Sequence, residues 1–366
     1  MTLKLFEMFA GFGGASFALK KAGVDFECVG FSEIDKFAVQ CYHQNHGALI
    51  YGSNILENYG DCTKIDPNDL ADFDLLTGGF PCQSFSVAGK GLGELDTRGT
   101  LFNEIIRIAE VKKPKFMLLE NVKGLTNKCH KATFEKILSE LNRIGYAVEW
   151  ELLNSKENGI PQNRERVFFV CFRTREAGML DKITKKFMNF TFPEKEELKI
   201  FLKDILEDEV DEKYYLSEKQ MDDLIFKSDH SNSRVYDVDG ISPTLNTMQG
   251  GHRQPFILIK NATKKGYIKG YCGDGVNLEH PNSKTRRGRI IKHCCSTLQC
   301  NDGRGVIEKD MRIRKLTPTE CFRLMGFLDD NIFLEGLSNN QRYKLAGNGW
   351  DINLVSKLFK KMLVIK

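Results

Sequence analysis

Apolar residues fall in short dense runs, separated by stretches in which they recur at helical spacing. Leu3–Phe9, Phe26–Phe31, Phe73–Leu76, Phe116–Leu119, Val148–Leu153 and Val167–Phe172 read as strands. Ser16–Lys21, Lys36–Asn45, Thr100–Val111 and Ala132–Ile144 read as helices between them. Strands alternating with helices predict an α/β fold with a largely parallel sheet covered on both faces.

The pattern changes after Phe192-Pro193. Leu198–Ile225 predicts short amphipathic helices joined by turns. Residues 228–309 have no strong helical period, many glycines and brief β-type runs such as Phe256-Ile257-Leu258-Ile259. They predict a smaller, irregular β-rich domain. Helical spacing returns at Thr317-Pro318-Thr319-Glu320, with proline at the first helical position, and continues through Met325. A last amphipathic helix is expected over Ile352–Leu363. The expected division is one domain from 1–192 with 337–366, a second over 193–312, and a joining segment over 313–336.

Charge sharpens this division. Residues 191–229 carry 6 lysines against 13 acidic residues, which reads as a solvated face. Residues 253–315 carry 15 Lys and Arg against 5 acidic residues and include Lys284-Thr285-Arg286-Arg287-Gly288-Arg289. A phosphate backbone rewards each such cation through counterion release, so nucleic acid is the expected partner. No apolar run has membrane-spanning length. Glu7 interrupts the N-terminal apolar stretch and no basic leader precedes it, so no signal peptide is expected. The 11 cysteines are odd in number and scattered, which suits reduced thiols in an intracellular protein. His293, Cys294, Cys295 and Cys300 lack the paired spacing of a zinc module, and no metal site is expected.

The candidate chemistry lies at strand ends, where open α/β sheets bind ligands. Gly78-Gly79-Phe80-Pro81-Cys82-Gln83-Ser84-Phe85-Ser86 leaves the third long strand. A lone cysteine is by default buried and inert. On a glycine- and proline-rich loop it is reachable, and only a reachable thiolate reacts. Glu120 ends the run from Phe116, and Arg164 and Arg166 precede Val167–Phe172. A spacing of two puts both arginines on one face of a strand. Phe9-Ala10-Gly11-Phe12-Gly13-Gly14 follows the first strand, and Glu33 follows the second where a carboxylate would bond a ribose. The spacing is G-x-G-G instead of the dinucleotide GxGxxG. Phe9 and Phe12 flank it, and an aromatic face suits a sulfonium, so the loop leans towards S-adenosylmethionine.

Together these segments resemble the DNA cytosine-5 methyltransferase family over nearly the whole chain, which implies a Rossmann-like S-adenosylmethionine-dependent methyltransferase domain with a smaller, irregular β-rich target-recognition domain. The order matches: glycine loop, Glu33, Gly60-Asp61, Pro81-Cys82-Gln83, Glu120-Asn121-Val122, Gln162–Arg166, a variable region, Arg314-Lys315-Leu316, then Gly347-Asn348. The resemblance implies that Cys82 is the nucleophile, that Glu120 contacts the ring nitrogen of the target base, and that Arg164 and Arg166 support them. It implies that S-adenosylmethionine lies against Phe9, Phe12, Gly13 and Gly14, its ribose on Glu33, its adenine near Ile34, Asp61 and Cys62, with Leu101 and Asn348 completing the lining. Phe80, Pro81, Gln83, Ser86, Asn121, Thr297 and Leu298 are implied at the DNA. Thr244-Leu245 competes with Thr297-Leu298 for the family's Thr-Leu pair. Two departures stand out. Ile34 occupies a position that is often a large aromatic, and Gly349-Trp350 replaces a small polar residue followed by an aliphatic one.

The residue types suit that chemistry. A thiolate added at carbon 6 makes carbon 5 of cytosine enamine-like. A group holding a proton at nitrogen 3 absorbs the charge. A stacked base is out of reach, so it must be flipped out of the duplex. The expected function is DNA (cytosine-5-)-methylation by a monomer in a bacterial or phage-infected cytoplasm, as part of a modification system. The alternatives are a tRNA cytosine-5 methyltransferase and a non-catalytic DNA-binding relative.

Overall fold

Six strands form the central sheet: β1 (Leu3–Met8), β2 (Phe26–Ser32), β3 (Leu75–Gly79), β4 (Phe116–Val122), β5 (Tyr146–Asn154) and, beyond the two-residue β6 (Gln162–Asn163), β7 (Glu165–Arg173). Their spatial order is β2-β1-β3-β4-β7-β5. Successive side chains of these strands enter two different cores. Leu5, Leu75, Leu118 and Val170 join one; Phe6, Leu76, Met117, Leu119 and Phe169 join the other. Burial on both faces is why the strands read as continuous apolar runs.

Helices α1 (Gly14–Ala22) and α2 (Lys36–Tyr42) supply Ala15, Ala18, Leu19 and Cys41 to the first core. Helices α3 (Thr100–Lys112) and α4 (Lys131–Arg143) supply Ile105, Ile108, Ile137 and Leu141 to the second. Near the C-terminus lie α5 (Pro318–Arg323), α6 (Asn339–Asn348) and α7 (Ile352–Leu363). Val355, Leu358 and Phe359 of α7 close the first core beside α1. The structure, a computed structural model, describes residues 2–47, 56–81, 100–174, 187, 189–217, 256–260, 267–279, 283, 288–298, 304–308, 313–328 and 332–363.

The sheet is parallel only from β2 to β4; β7 runs antiparallel to both β4 and β5. A short connection cannot cross over a sheet face. The chain leaves β5 at Asn154 and re-enters at Glu165, so β7 must return alongside it. The amphipathic helices expected over Leu198–Ile225 reduce to single 3-10 turns at Leu202–Ile205 and Glu212–Tyr214, with 218–225 outside the described residues. Leu202 and Ile205 are buried, but the acidic residues after them offer no second apolar turn.

The β-rich segment contains the hairpin β8 (Phe256–Lys260) and β9 (Tyr267–Tyr271). It also contains β10 (Gly275–Asn277), β11 (Ile290–Ile291), β12 (Cys295–Ser296), β13 (Arg304–Ile307) and β14 (Ile313–Lys315). Four of these form an antiparallel sheet in the order β11-β10-β13-β14. The remaining one, β12, pairs in parallel with β6. Arg314 of β14 is fully buried and holds the Glu320 carboxylate through Nη1 and Nη2 at 2.9 and 2.8 Å, and Glu308 through Nε at 2.6 Å. Glu320 also accepts from the Thr317 N–H in a capping box, as the Thr-x-x-Glu spacing predicts. The small sheet and α5 are thereby locked together.

Candidate active site

Gly79 of β3 lies in register with Glu120 of β4. From Gly79 the chain continues through Phe80 and the exposed Pro81 towards Cys82. Cys82, Gln83 and Ser86 lie outside the described residues, as does Thr244-Leu245. Phe80 and Asn121 were expected at the DNA, yet both are buried. The Phe80 ring packs on Phe102 with centroids 5.3 Å apart, and Asn121 Nδ2 donates to the Phe80 carbonyl at 2.9 Å. They anchor the chain where it leaves β3.

Arg166 Nε donates to Glu120 at 2.8 Å, with both side chains mostly buried. Arg164 does something else. It is 3 % exposed, and its Nη2 donates to the carbonyls of Gly347 and Gly349 at 3.3 and 2.8 Å. The expectation that the two arginines share one working face fails, because Arg164 sits in the break between β6 and β7, where strand alternation is interrupted. Arg164 instead satisfies carbonyls at the C-terminal end of α6, where a cation is favoured.

A cleft beside this edge is lined by Glu7–Phe12, Gly14, Thr77–Gly79 and Asn348–Trp350. Phe9 takes a left-handed φ of 54°, which ends β1, and Gly13 caps α1 with φ 83°. A side chain at Gly13 would strike the His46 ring, its Cβ 2.2 Å from Nε2. Burial pushes the His46 imidazole down to about 4, so it is neutral and Nε2 donates to the Phe12 carbonyl at 3.1 Å. Glu33 binds the loop from the β2 side. One oxygen accepts from Gly11 N–H at 2.9 Å and the other from Ile34 and Asp35 N–H, both at 2.8 Å. Ile34 is 78 % exposed at the rim.

Other expected lining residues differ in what they offer. The Phe12 ring is buried edge-on against Phe322 and Phe327, so it presents no free aromatic face; Phe9 alone keeps one of the pair partly accessible. Asp61 accepts from Thr63 N–H and Oγ1 at 3.1 and 2.8 Å. Cys62 is buried, and its carbonyl accepts from Arg107. Leu101 packs on the second core, while Asn348 is exposed.

Two lining residues escaped the sequence reading. Trp350 lines the cleft and, with Glu120, crowds Gly79: a Cβ there would lie 2.9 Å from Trp350 Nε1 and 3.2 Å from Glu120 Oε2. The departure at Gly349-Trp350 was the available signal. Glu7 is buried, and desolvation raises its carboxyl to about 7 against hydrogen bonds from Ser16 and Tyr42. The glycines at 11, 14, 78 and 79 leave part of the cleft lining free of side chains, and the Glu33 carboxylate, held by Gly11 N–H, lies beside it. That combination fits an adenosyl amino acid.

A larger cleft opens beyond Glu120. One wall carries Val122, Lys123, Asn163, Glu165 and Arg166; the other carries Asn277, Arg289, Ser296, Thr297 and Arg304. The walls are joined at β6·β12. Thr297 Oγ1 donates to the Asn163 carbonyl at 3.0 Å, and Leu298 N–H to Gln162 Oε1 at 3.2 Å. Leu298 is 3 % exposed within the core, which removes its side chain from base reading. Arg304 Nε donates to the Thr297 carbonyl at 3.1 Å.

Comparison with known proteins agrees with this arrangement. A family model described as C-5 cytosine-specific DNA methylase matches residues 3–364. The chain is 34% identical over 444 aligned residues to the orphan methyltransferase M.SPBetaI of Bacillus phage SPbeta, covering 99% of this chain and 97% of that protein. It is 35% identical over 364 residues to the type II methyltransferase M1.ScrFI of Lactococcus lactis subsp. cremoris, covering 99% and 78%. In fold it is similar to the S. pombe Dnmt2 methyltransferase, with a TM-score of 0.60 at 20% identity over 99% and 98% of the two chains. The chain belongs to the C-5 cytosine-specific DNA methylases, a family that uses S-adenosylmethionine, and is a DNA (cytosine-5-)-methyltransferase.

Proposed function

We propose that the chain flips a cytosine out of duplex DNA and methylates its carbon 5 through a covalent adduct with Cys82. The observation that supports this most directly is the register of Gly79 with Glu120 together with the Glu120–Arg166 pair. It places Gly79, three residues before Cys82 in the sequence, beside a carboxylate held by an arginine. The Cys82 thiolate adds to carbon 6 of the base, a step that needs a pKa below the ordinary value of about 8.5. Glu120 holds a proton at nitrogen 3 and absorbs the charge. Carbon 5 accepts the methyl group, and loss of its proton expels Cys82. S-adenosylmethionine, when bound, supplies that methyl as an electrophile on a sulfonium. Phe9, Gly13, Gly14, Glu33, Ile34, Asp61, Leu101 and Asn348 would hold it, joined by Trp350.

In this reading 1–192 with 337–366 carry the chemistry, 193–312 recognise DNA, and 313–336 join them. The enzyme acts as a monomer in a bacterial or phage-infected cytoplasm. Cys82→Ala should abolish methyl transfer to duplex DNA while cofactor binding by calorimetry persists. A cytosine analogue that blocks the final elimination should trap wild-type protein covalently on DNA. Near-normal turnover by Cys82→Ala would overturn the covalent mechanism, and methylation of tRNA in place of duplex would overturn the substrate.

A further inference from the structure

We infer that Lys123 is a DNA-phosphate contact held in reserve by Glu165, and that Glu165 thereby limits binding to duplex lacking the recognised sequence. The inference rests on the reading of the larger cleft as the DNA site.

The pair sits at the mouth of that cleft. Lys123 follows the last residue of β4, and Glu165 opens β7; the neighbours Val122 and Arg166 are register partners. Lys123 Nζ lies 2.8 and 2.7 Å from the two Glu165 oxygens. The side chains are 53 % and 32 % exposed. An ion pair this open contributes at most about 1 kcal/mol to stability, so the fold does not require it.

Arg166 and Arg304, which also line the cleft, differ. Arg166 is committed to Glu120. Arg304 is 6 % exposed and committed to Glu279 and the Thr297 carbonyl. Lys123 has the opposite character, because it is solvent-reachable on a flexible stem and tied only to a carboxylate that water can re-solvate. Arg289 is exposed on the far wall.

A carboxylate is an unfavourable wall for a polyanion. With Lys123 on Glu165, the two charges cancel at long range, and a passing duplex gains little from either. A duplex seated deeply enough to bring a phosphate to Nζ draws the lysine off. It then gains a charge-assisted contact and releases a counterion. Weakly seated duplex meets a neutral pair; fully seated duplex meets a cation.

The test uses full-length protein with the demethylated cofactor product bound. It compares a duplex carrying the sequence methylated in cells with a scrambled one, by fluorescence anisotropy across a salt series. Lys123→Gln should flatten the slope of log K against log salt by about 0.9 for the recognised duplex, and Lys123→Arg should restore it. Glu165→Gln should tighten scrambled-duplex binding several-fold and the recognised duplex by less, lowering the ratio between them. Unaltered slope in Lys123→Gln, or weakened binding to both duplexes in Glu165→Gln, would overturn the inference. Calorimetric cofactor binding and the melting temperature of each variant report folding independently. Wild-type protein that binds neither duplex in a salt-dependent way would instead overturn the DNA reading of the cleft.

Discussion

Arg166 Nε lies 2.8 Å from a Glu120 oxygen, at the edge where β3 and β4 end and β7 begins. The pair orients the carboxylate before any base arrives. Arg166→Met should therefore slow single-turnover methyl transfer by roughly ten- to a hundredfold, the loss of one hydrogen bond to a charged group. Cofactor affinity and melting temperature should hold. Arg166→Lys should recover part of the rate. A variant that loses cofactor binding as well would mean that Arg166 shapes the other cleft.

Arg164 should behave differently. It is buried and bonded to the carbonyls of Gly347 and Gly349. Arg164→Met leaves those carbonyls without their cation, and a lost partner of this kind costs about 3 kcal/mol. Denaturant unfolding should show the deficit, and calorimetry should show weaker cofactor binding as the Asn348–Trp350 segment loosens. Unfolding matched to wild type would contradict the positioning role.

Glu7 gives a pH signature. Its carboxyl stays protonated in the folded chain up to about 7, whereas the ordinary value is 4.5. Between those values the folded chain binds more protons than the unfolded one. The contribution is intact below 4.5, declines as pH rises through the window, and is lost above 7. Glu7→Gln cannot ionise, so its stability relative to wild type should rise across that window by up to about 3 kcal/mol. Parallel stability–pH curves for the two proteins would exclude this.

Gly79 is confined between two side chains. A Cβ there would lie 2.9 Å from Trp350 Nε1 and 3.2 Å from Glu120 Oε2. Gly79→Ala should displace one of them, and displacement on the ångström scale costs on the order of a hundredfold in rate. Adding Trp350→Val should return part of the activity by opening the Nε1 side. If the double variant is no better than Gly79→Ala, the strain falls on Glu120 instead.

Two-sided burial made the sheet legible, because runs such as Phe116–Leu119 feed both cores and leave no polar alternation to read. The Thr317 capping box was legible because its bonds are local in sequence. Arg164 and Trp350 were not. Each takes its role from a partner on a distant element, Gly347 and Gly79 respectively, and spacing along one segment carries no record of it. The antiparallel β7 was missed for the same reason: alternating strands and helices specify elements, while the length of the connection after Asn154 decides direction. Phe80, Asn121 and Leu298 were sorted by motif, but burial assigns their side chains to support.

If residues 193–312 read the DNA, as proposed, the short β6·β12 junction bears on how that segment could be exchanged. Cys295 N–H donates to the Pro161 carbonyl at 2.9 Å, Thr297 Oγ1 to the Asn163 carbonyl, and Leu298 N–H to Gln162 Oε1. Of these three bonds, only the Thr297 one uses a side chain of the incoming segment; Cys295 and Leu298 contribute backbone N–H groups. On the proposed reading, a replacement segment is expected to dock here provided it brings a threonine in that place and an apolar residue after it. Swapping residues 228–310 for those of a relative with that pair should move the methylated sequence and keep the chemistry. Swapping in a segment that lacks the threonine should give a protein that folds and binds cofactor but methylates poorly anywhere. New specificities could then arise by wholesale replacement, without retuning the catalytic strands.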